Sequence, residues 1–299
     1  MLETLTDRVY LVDSEPLGSR GWLSTYLIAG DDAVAVVDPG PKVVYKDVLR
    51  GLRGIGADRR AVYVVLTHVH MDHAGSVGDL VRELKRPTVV VHPRGVRHLV
   101  NPTKLWQSSL EVLGDLAQAF GKPEPVEEGF VLPAVDGGTI SLGGVDLEAI
   151  HTPGHAQHHV SYLLKPHLIL FAGDSIANYF SGRAYPVTVP PFNASEYLRS
   201  LSNMLALRPR KVAVSHYGVV DVDPDILIQR VKDKLTAWIY RIEKLLSEGC
   251  RDPRVVYETI LREDVELSYA RDLEEGMPAF RGATYRAILG LYNYLTATR

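Results

Sequence analysis

Three histidines and an aspartate fall within six residues in His68-Val-His70-Met-Asp72-His73, directly after the apolar run Val62-Tyr-Val-Val-Leu66 and Thr67. Imidazole nitrogen and carboxylate oxygen are the donor atoms that zinc, iron and manganese accept. In extended or turn backbone, side chains two apart point the same way, so His68 and His70 can converge on one metal. Asp72 and His73 come on the turn into the following helical pattern and can serve a second metal nearby. A lone histidine is commonly a hydrogen-bonded structural residue. Four such groups at one strand end would bury several polar atoms without partners if they bound nothing.

Two metals need more donors than this run supplies, and three further segments have the right character. His151-Thr-Pro-Gly-His155, Phe171-Ala-Gly-Asp174 and Ser215-His216-Tyr217-Gly218 each end a strand pattern with a turn. Each places a His or Asp just beyond the C-terminal end of a buried strand, where functional residues collect in α/β folds.

The elements that must position these groups are readable in outline. Strands are expected at Val9–Val12, Thr25–Ala29, Ala33–Val37, Val62–Leu66, Thr88–Val91, Leu147–Ile150, His159–Leu164, Leu168–Ala172 and Val212–Ser215. They are short, β-branched and closed by Gly, Pro or Asp. Several are continuously apolar, as strands covered on both faces are. Val44, Val48, Leu52 and Ile55 recur on one helical face, as do Val77, Leu80, Val81 and Leu84. Asn193 with Glu196 forms a capping-box pattern at the head of another helix, and residues 103–120 read as one helix ended by Gly121 and Pro123. Beyond Tyr217 the strand signal fades. Val231, Leu235, Trp238, Ile242 and Leu245 mark an amphipathic helix, Asp252-Pro253 starts a second, and Tyr285, Ile288, Leu289, Tyr292 and Leu295 mark a last one. A boundary is therefore expected in Asp221-Val-Asp-Pro-Asp225, separating residues 1–220 from a helical extension, 221–299.

Composition narrows the classes. The 299 residues are 46% apolar and 23% charged, with 18 Pro and 25 Gly, which excludes disorder, collagen and coiled coil for the whole chain. A net charge of −3 makes nucleic acid an unexpected partner. The one cysteine, Cys250, can make neither an internal disulfide nor a cysteine metal cage. MLETLTDRVY has no apolar run, so no signal peptide is expected, and no apolar stretch approaches membrane-spanning length, so a cytoplasmic protein is expected.

Taken together in order, these motifs resemble the metallo-β-lactamase-fold hydrolases. The family pattern T-H-x-H-x-D-H is similar to Thr67–His73 without a gap, and its later motifs resemble those at His155, Asp174 and His216, over about residues 8–218. The resemblance implies an α/β fold, an αββα sandwich of two mixed sheets flanked by helices. It implies two divalent metal ions, zinc first, with iron or manganese as alternatives. His68, His70 and His155 would bind metal 1, Asp72, His73 and His216 metal 2, and Asp174 would bridge them. Asp72 would also be the catalytic carboxylate, with a bridging hydroxide as nucleophile.

The set is most similar to glyoxalase II-like enzymes, which implies hydrolysis of a small-molecule ester or thioester. A β-lactamase proper is not expected, because Asp174 is present and Cys250 lies in the tail. Asp174-Ser-Ile-Ala-Asn-Tyr179 departs from the tyrosine spacing of many lactonases. The alternatives within the resemblance are a mononuclear iron persulfide dioxygenase and a lactonase or phosphodiesterase/ribonuclease.

Other residues carry weaker expectations. Tyr217, Arg183 and Tyr185 are candidate substrate contacts, as is Trp22, although loop packing explains each of them too. Asp38, in Val36-Val-Asp38-Pro-Gly40, can orient a ligand or simply form the turn. His159 is read as support for the site and His92 as a strand-end residue that could face the cleft. His98 and His167 are read as surface residues, Trp106 and Phe120 as helix packing. Arg241 and Lys244 fit a solvated helix face. The apolar faces around Trp238 and Tyr292 can pack on the domain or form a homodimer surface.

Overall fold

Alternate side chains of a strand face opposite ways, and in Ala33–Val37 both directions are buried. Ala33, Ala35 and Val37 pack in one apolar cluster with Leu147, Tyr162 and Phe171, while Val34 and Val36 pack in another with Val48 and Leu52. A sheet covered on both sides follows. A computed structural model of the chain describes residues 1–298.

The first sheet contains β1 (Leu2–Thr4), β2 (Val9–Asp13), β3 (Ser24–Ala29), β4 (Ala33–Val37), β5 (Ala61–Val65), β6 (Thr88–Val91) and β7 (Val131–Pro133), in that spatial order. It is antiparallel from β1 to β4 and parallel from β4 to β7. The second sheet is built from β8 (Thr139–Ser141), β9 (Asp146–His151), β10 (Val160–Lys165), β11 (Ile169–Gly173), then, beyond the separate hairpin β12 (Asn178–Phe180)–β13 (Arg183–Tyr185), β14 (Lys211–Val214) and β15 (Gly218–Val219). Its order is β15-β14-β11-β10-β9-β8, and only β11–β14 is parallel. The αββα sandwich implied by the resemblance is the architecture that forms.

Helices α1 (Tyr45–Gly54), α2 (Met71–Ala74) and α3 (Val77–Glu83) follow the first sheet's strands, and Val48, Leu52, Val77 and Leu80 are buried against its outer side. After α4 (Val96–Val100), the expected helix over 103–120 is two, α5 (Thr103–Leu113) and α6 (Asp115–Phe120). The break is Gly114, at φ 56° and ψ −126°, a conformation open to glycine and closed to a helix. The second sheet is covered by α7 (Ala194–Ala206), whose Asn193 cap accepts from Glu196 N at 3.1 Å, as the capping pattern predicts.

The tail forms α8 (Pro224–Ser247), α9 (Pro253–Glu263), α10 (Val265–Glu274) and α11 (Ala283–Ala297). The sequence pattern did not separate α10, which starts one residue after its Asp264 cap. Tail residues Val231, Leu235, Trp238 and Ile288 share one apolar cluster with Leu163 and Leu170 of the second sheet and Tyr197 and Leu201 of α7. Trp238 is thus covered within the chain, where its Nε1 donates to Asp264 Oδ2 at 2.8 Å. Among the described residues, no helix is long and apolar enough to cross a membrane.

The tail docks with backbone against backbone. A Cβ on Gly290 of α11 would lie 1.8 Å from Thr188 O, and Thr188 Oγ1 donates to Ala287 O at 2.5 Å. Only glycine fits that approach. Gly290→Val is expected to lower the urea unfolding free energy by about 2 kcal/mol or more through overpacking. An unchanged midpoint and slope would contradict this docking of α11.

Candidate metal centre

Five loops at strand C-termini bring the polar residues together. Asp38 follows β4, the Thr67–His73 run follows β5 and enters α2, and His155 lies in the turn between β9 and β10. Asp174 follows β11, and His216 lies between β14 and β15. Parallel strands β4 and β5, and β11 and β14, present these ends on one edge of the sandwich.

The ring nitrogens converge as metal ligands do. His68 Nε2 lies 2.9 Å from His70 Nδ1, and His155 Nε2 lies 3.1 Å from His70 Nδ1 and 3.3 Å from His68 Nε2. Nitrogens bound tetrahedrally to one zinc are separated by about 3.3 Å, given bonds of about 2.0–2.1 Å. Asp72, His73 and His216 form a second group, with Asp72 Oδ2 at 3.7 Å from His73 Nε2 and 3.8 Å from His216 Nε2. Asp174 lies between the groups. Its Oδ2 is 3.5 Å from both His73 Nε2 and His155 Nε2, and its Oδ1 is 3.6 Å from His216 Nε2.

These groups fit metal better than they fit one another. His73 Nε2 and Asp174 Oδ1 are buried with no hydrogen-bond partner. Buried polar atoms left unpaired are costly, and both point into the cluster, where a cation would satisfy them. Burial, together with the neighbouring rings, holds the pKa of His68 and His70 well below the usual histidine value; burial also lowers that of His155. All three are therefore neutral, with lone pairs free to donate. Burial works against charge on His73 as well, but Asp72, Asp174 and Asp38 outweigh it and raise its pKa well above the ordinary value. Burial would raise Asp174, yet His73, His216 and His155 hold it well below the carboxylate range.

The opposite ring atoms are fixed by the scaffold. His155 Nδ1 meets Val187 O at 2.9 Å, His216 Nδ1 meets Trp22 O at 3.1 Å, and His73 Nδ1 meets Asp38 Oδ2 at 2.9 Å. Such contacts orient a ligand ring and set its tautomer. Asp38 also accepts from Thr67 N at 2.8 Å, Thr67 Oγ1 at 2.6 Å and Ser215 Oγ at 3.0 Å. Its oxygens lie near His68 and His73, but these four bonds occupy them, so Asp38 orients rather than ligates. His159 has a related part: its Nδ1 meets Thr152 Oγ1 at 2.9 Å, and its Nε2 accepts from Asp174 N at 3.1 Å. Gly173 permits that contact. Its φ is 55°, and a Cβ there would lie 2.6 Å from His159 Nε2.

A cavity of about 510 Å³ opens onto the cluster, reaching His70, Asp72, His155, Asp174 and His216. Trp22 lines it, with its ring 4.8 Å from that of His216. The other substrate candidates lie elsewhere. Tyr217 packs against Phe180 and Phe280 with its hydroxyl toward Met277, Arg183 stacks on the Tyr269 ring at 4.1 Å, and Tyr185 is fully buried. None of the three lines the cavity. His92 stacks 4.4 Å from His151 and is also outside it, whereas His98 and Phe120, expected at the surface and in helix packing, are on its wall. Arg286, from α11, also lines the cavity; its helix carried no chemical motif to single it out.

Comparison with known proteins gives the context for this geometry. A family model described as Metallo-beta-lactamase superfamily matches residues 23–216. The metallo-beta-lactamase fold-containing protein ST1585 of Sulfurisphaera tokodaii is 31% identical over 217 residues, which are 71% of this chain and 78% of that protein. The crystal structure of ST1585, from Sulfolobus tokodaii, has a TM-score of 0.66 at 28% identity, covering 76% of this chain and 86% of that one. The metallo-beta-lactamase family protein TTHA1429 from Thermus thermophilus shares the fold over 99% of this chain and 95% of its own, with a TM-score of 0.70 at 22% identity. Human acyl-coenzyme A thioesterase MBLAC2 is 27% identical over 237 residues, 72% of this chain and 80% of that protein.

Asp38→Ala removes one acceptor and strands several buried donors. It is expected to cost about 3 kcal/mol in urea unfolding, the loss usual for breaking a buried charged network. A loss under about 0.5 kcal/mol, the range of ordinary surface changes, would contradict the role given to Asp38.

Proposed function

The chain belongs to the metallo-beta-lactamase superfamily, and from that premise we propose that it is a two-metal hydrolase of a small carboxylic ester or thioester, of the glyoxalase II-like type. The observation that carries this reading is the completeness of both ligand groups. His68, His70 and His155 would hold one divalent ion and Asp72, His73 and His216 the other, with Asp174 within 4.0 Å of nitrogens in both groups. The imidazole-rich set favours zinc, and the same donors accept iron or manganese. Bound there, divalent ions would supply Lewis acidity, making water a better nucleophile and polarising a carbonyl.

The protein's own groups do the rest. Neutral His68, His70 and His155 present lone pairs without first losing a proton, and Asp174 stays ionised between them. Asp72 has a partly exposed side chain, 23% accessible. It faces the cavity and is placed to move a proton from water toward the departing alkoxide or thiolate. The apolar part of the cavity wall, with Trp22, Leu113, Leu116 and Phe120, suits an acyl group. The name of the human relative, an acyl-coenzyme A thioesterase, supports the thioester class. The intact second group supports two ions over the single iron of a persulfide dioxygenase. The net charge of −3 weighs against a nucleic-acid substrate. In this reading residues 1–220 supply the ligands and 221–299 close the cavity, in a protein of the cytoplasm.

A panel of thioesters, esters and lactones tests the reading. Asp72→Ala and His216→Ala are each expected to lower kcat/KM by about a hundredfold or more on whichever substrate is turned over. Unchanged turnover in both variants would remove the assignment.

A further inference from the structure

The cavity has a feature that the metal ligands do not explain. Leaving aside Asp72 and Asp174, every side chain on its lining that bears a formal charge is a cation: Arg97, Lys104 and Arg286. The whole chain is slightly acidic, so composition does not account for this. Among the described residues, none of the three has a carboxylate within 4.0 Å. Arg97 is exposed on the rim. Arg286 is partly buried, and it comes from the tail helix that closes the cavity.

The guanidinium is poorly matched by protein. Its Nη1 donates to Arg281 O at 2.9 Å, and no acceptor meets Nε or Nη2 among the described residues. Glu274 is the carboxylate that acts on it most and Asp72 of the ligand cluster the next; Asp72 is not within 4.0 Å, and Glu274 is already engaged. Its oxygens accept from Gly282 N at 2.8 Å and Thr284 N at 2.7 Å. Burial pushes the guanidinium's pKa down, and arginine nonetheless remains charged. A partly buried cation with idle donors, facing a cavity, is complementary to a carboxylate or phosphate. Much of the remaining wall is apolar, with Trp22, Leu105, Leu113, Leu116, Phe120 and Phe280, interrupted by polar side chains such as Ser108, Ser109 and Asn178.

We propose that Arg286 is the anion-binding residue of this cavity, and that its ligand is amphiphilic, an apolar chain bearing a carboxylate or phosphate. Taken with the hydrolytic reading of the cluster, on which this clause alone rests, the substrate is an ester or thioester with an anionic group set apart from the bond that is cleaved. The anion pairs with Arg286, the chain lies along the apolar wall, and the reacting carbonyl reaches the ligand cluster.

Calorimetric titration of the full chain as purified tests this with three probes sharing one chain: octanoate, octyl phosphate and neutral octanamide. Both anions, or the one whose headgroup matches, are expected to bind about tenfold or more tighter than octanamide. Arg286→Gln should abolish that advantage and leave octanamide binding unchanged, and Arg286→Lys should restore part of it. Preference between the anions identifies the headgroup. Equal binding of all three probes by the unaltered chain would overturn the proposal. So would an anion advantage that survives Arg286→Gln, since it would then belong to the metal cluster. If Arg286→Gln does not fold, an undiminished advantage in Arg286→Lys, which lacks the planar fork, counts against it equally. Arg286-dependent anion binding without turnover of any thioester or ester would sink the hydrolytic reading and leave the anion site standing.

Discussion

Seven imidazole and carboxylate groups face one another in a largely buried cluster, and His73 Nε2 and Asp174 Oδ1 are left there without a hydrogen-bond partner. His68, His70 and His155 are neutral rings that each need a donor or a cation. Asp174 is ionised, with an oxygen left unpaired. Buried groups of this kind are costly when left unpaired, and a cation would complete the cluster. The rest of the fold can be understood as the means of holding these groups at metal-binding separations before any ion arrives.

That pre-organisation is visible in how His73, His155, Asp174 and His216 are secured from behind. Asp38 ties β4, the Thr67 turn, His73 and Ser215 into one hydrogen-bonded network. His159 grips the Asp174 backbone across a contact that only Gly173 permits. The His155 ring is steered by Val187 O, in the segment that continues into the α11 docking site at Thr188. The tail therefore bears on the site twice, through the packing that fixes this segment and through Arg286 in the cavity wall.

Much of this was legible because the signals were local. The nine strands read from β-branched runs are present with ends shifted by one residue at most. The T-H-x-H-x-D-H run and the strand-end His and Asp residues do meet in space, and it is His155, not His151, that reaches His68 and His70. His151 instead contacts Ala134 O. What stayed hidden depends on long-range packing. Strands of two or three residues, such as β12, β13 and β15, carry too little pattern to stand out. Tyr217 adjoins a ligand in sequence, but its φ of 75° belongs to a turn whose side chain packs among Phe180 and Phe280. His98, Phe120 and Arg286 reach the cavity only because α4–α6 and the distant C-terminal α11 both fold over it.

The central claim is that the cluster is a two-metal site, and metal content tests it most directly. Elemental analysis of the full chain, purified without added metal, is expected to find two equivalents of divalent metal per chain, zinc or mixed. His68→Ala and His216→Ala should each lower that number. A single equivalent of iron, unchanged by His216→Ala, would contradict the account and point to oxygen chemistry in its place.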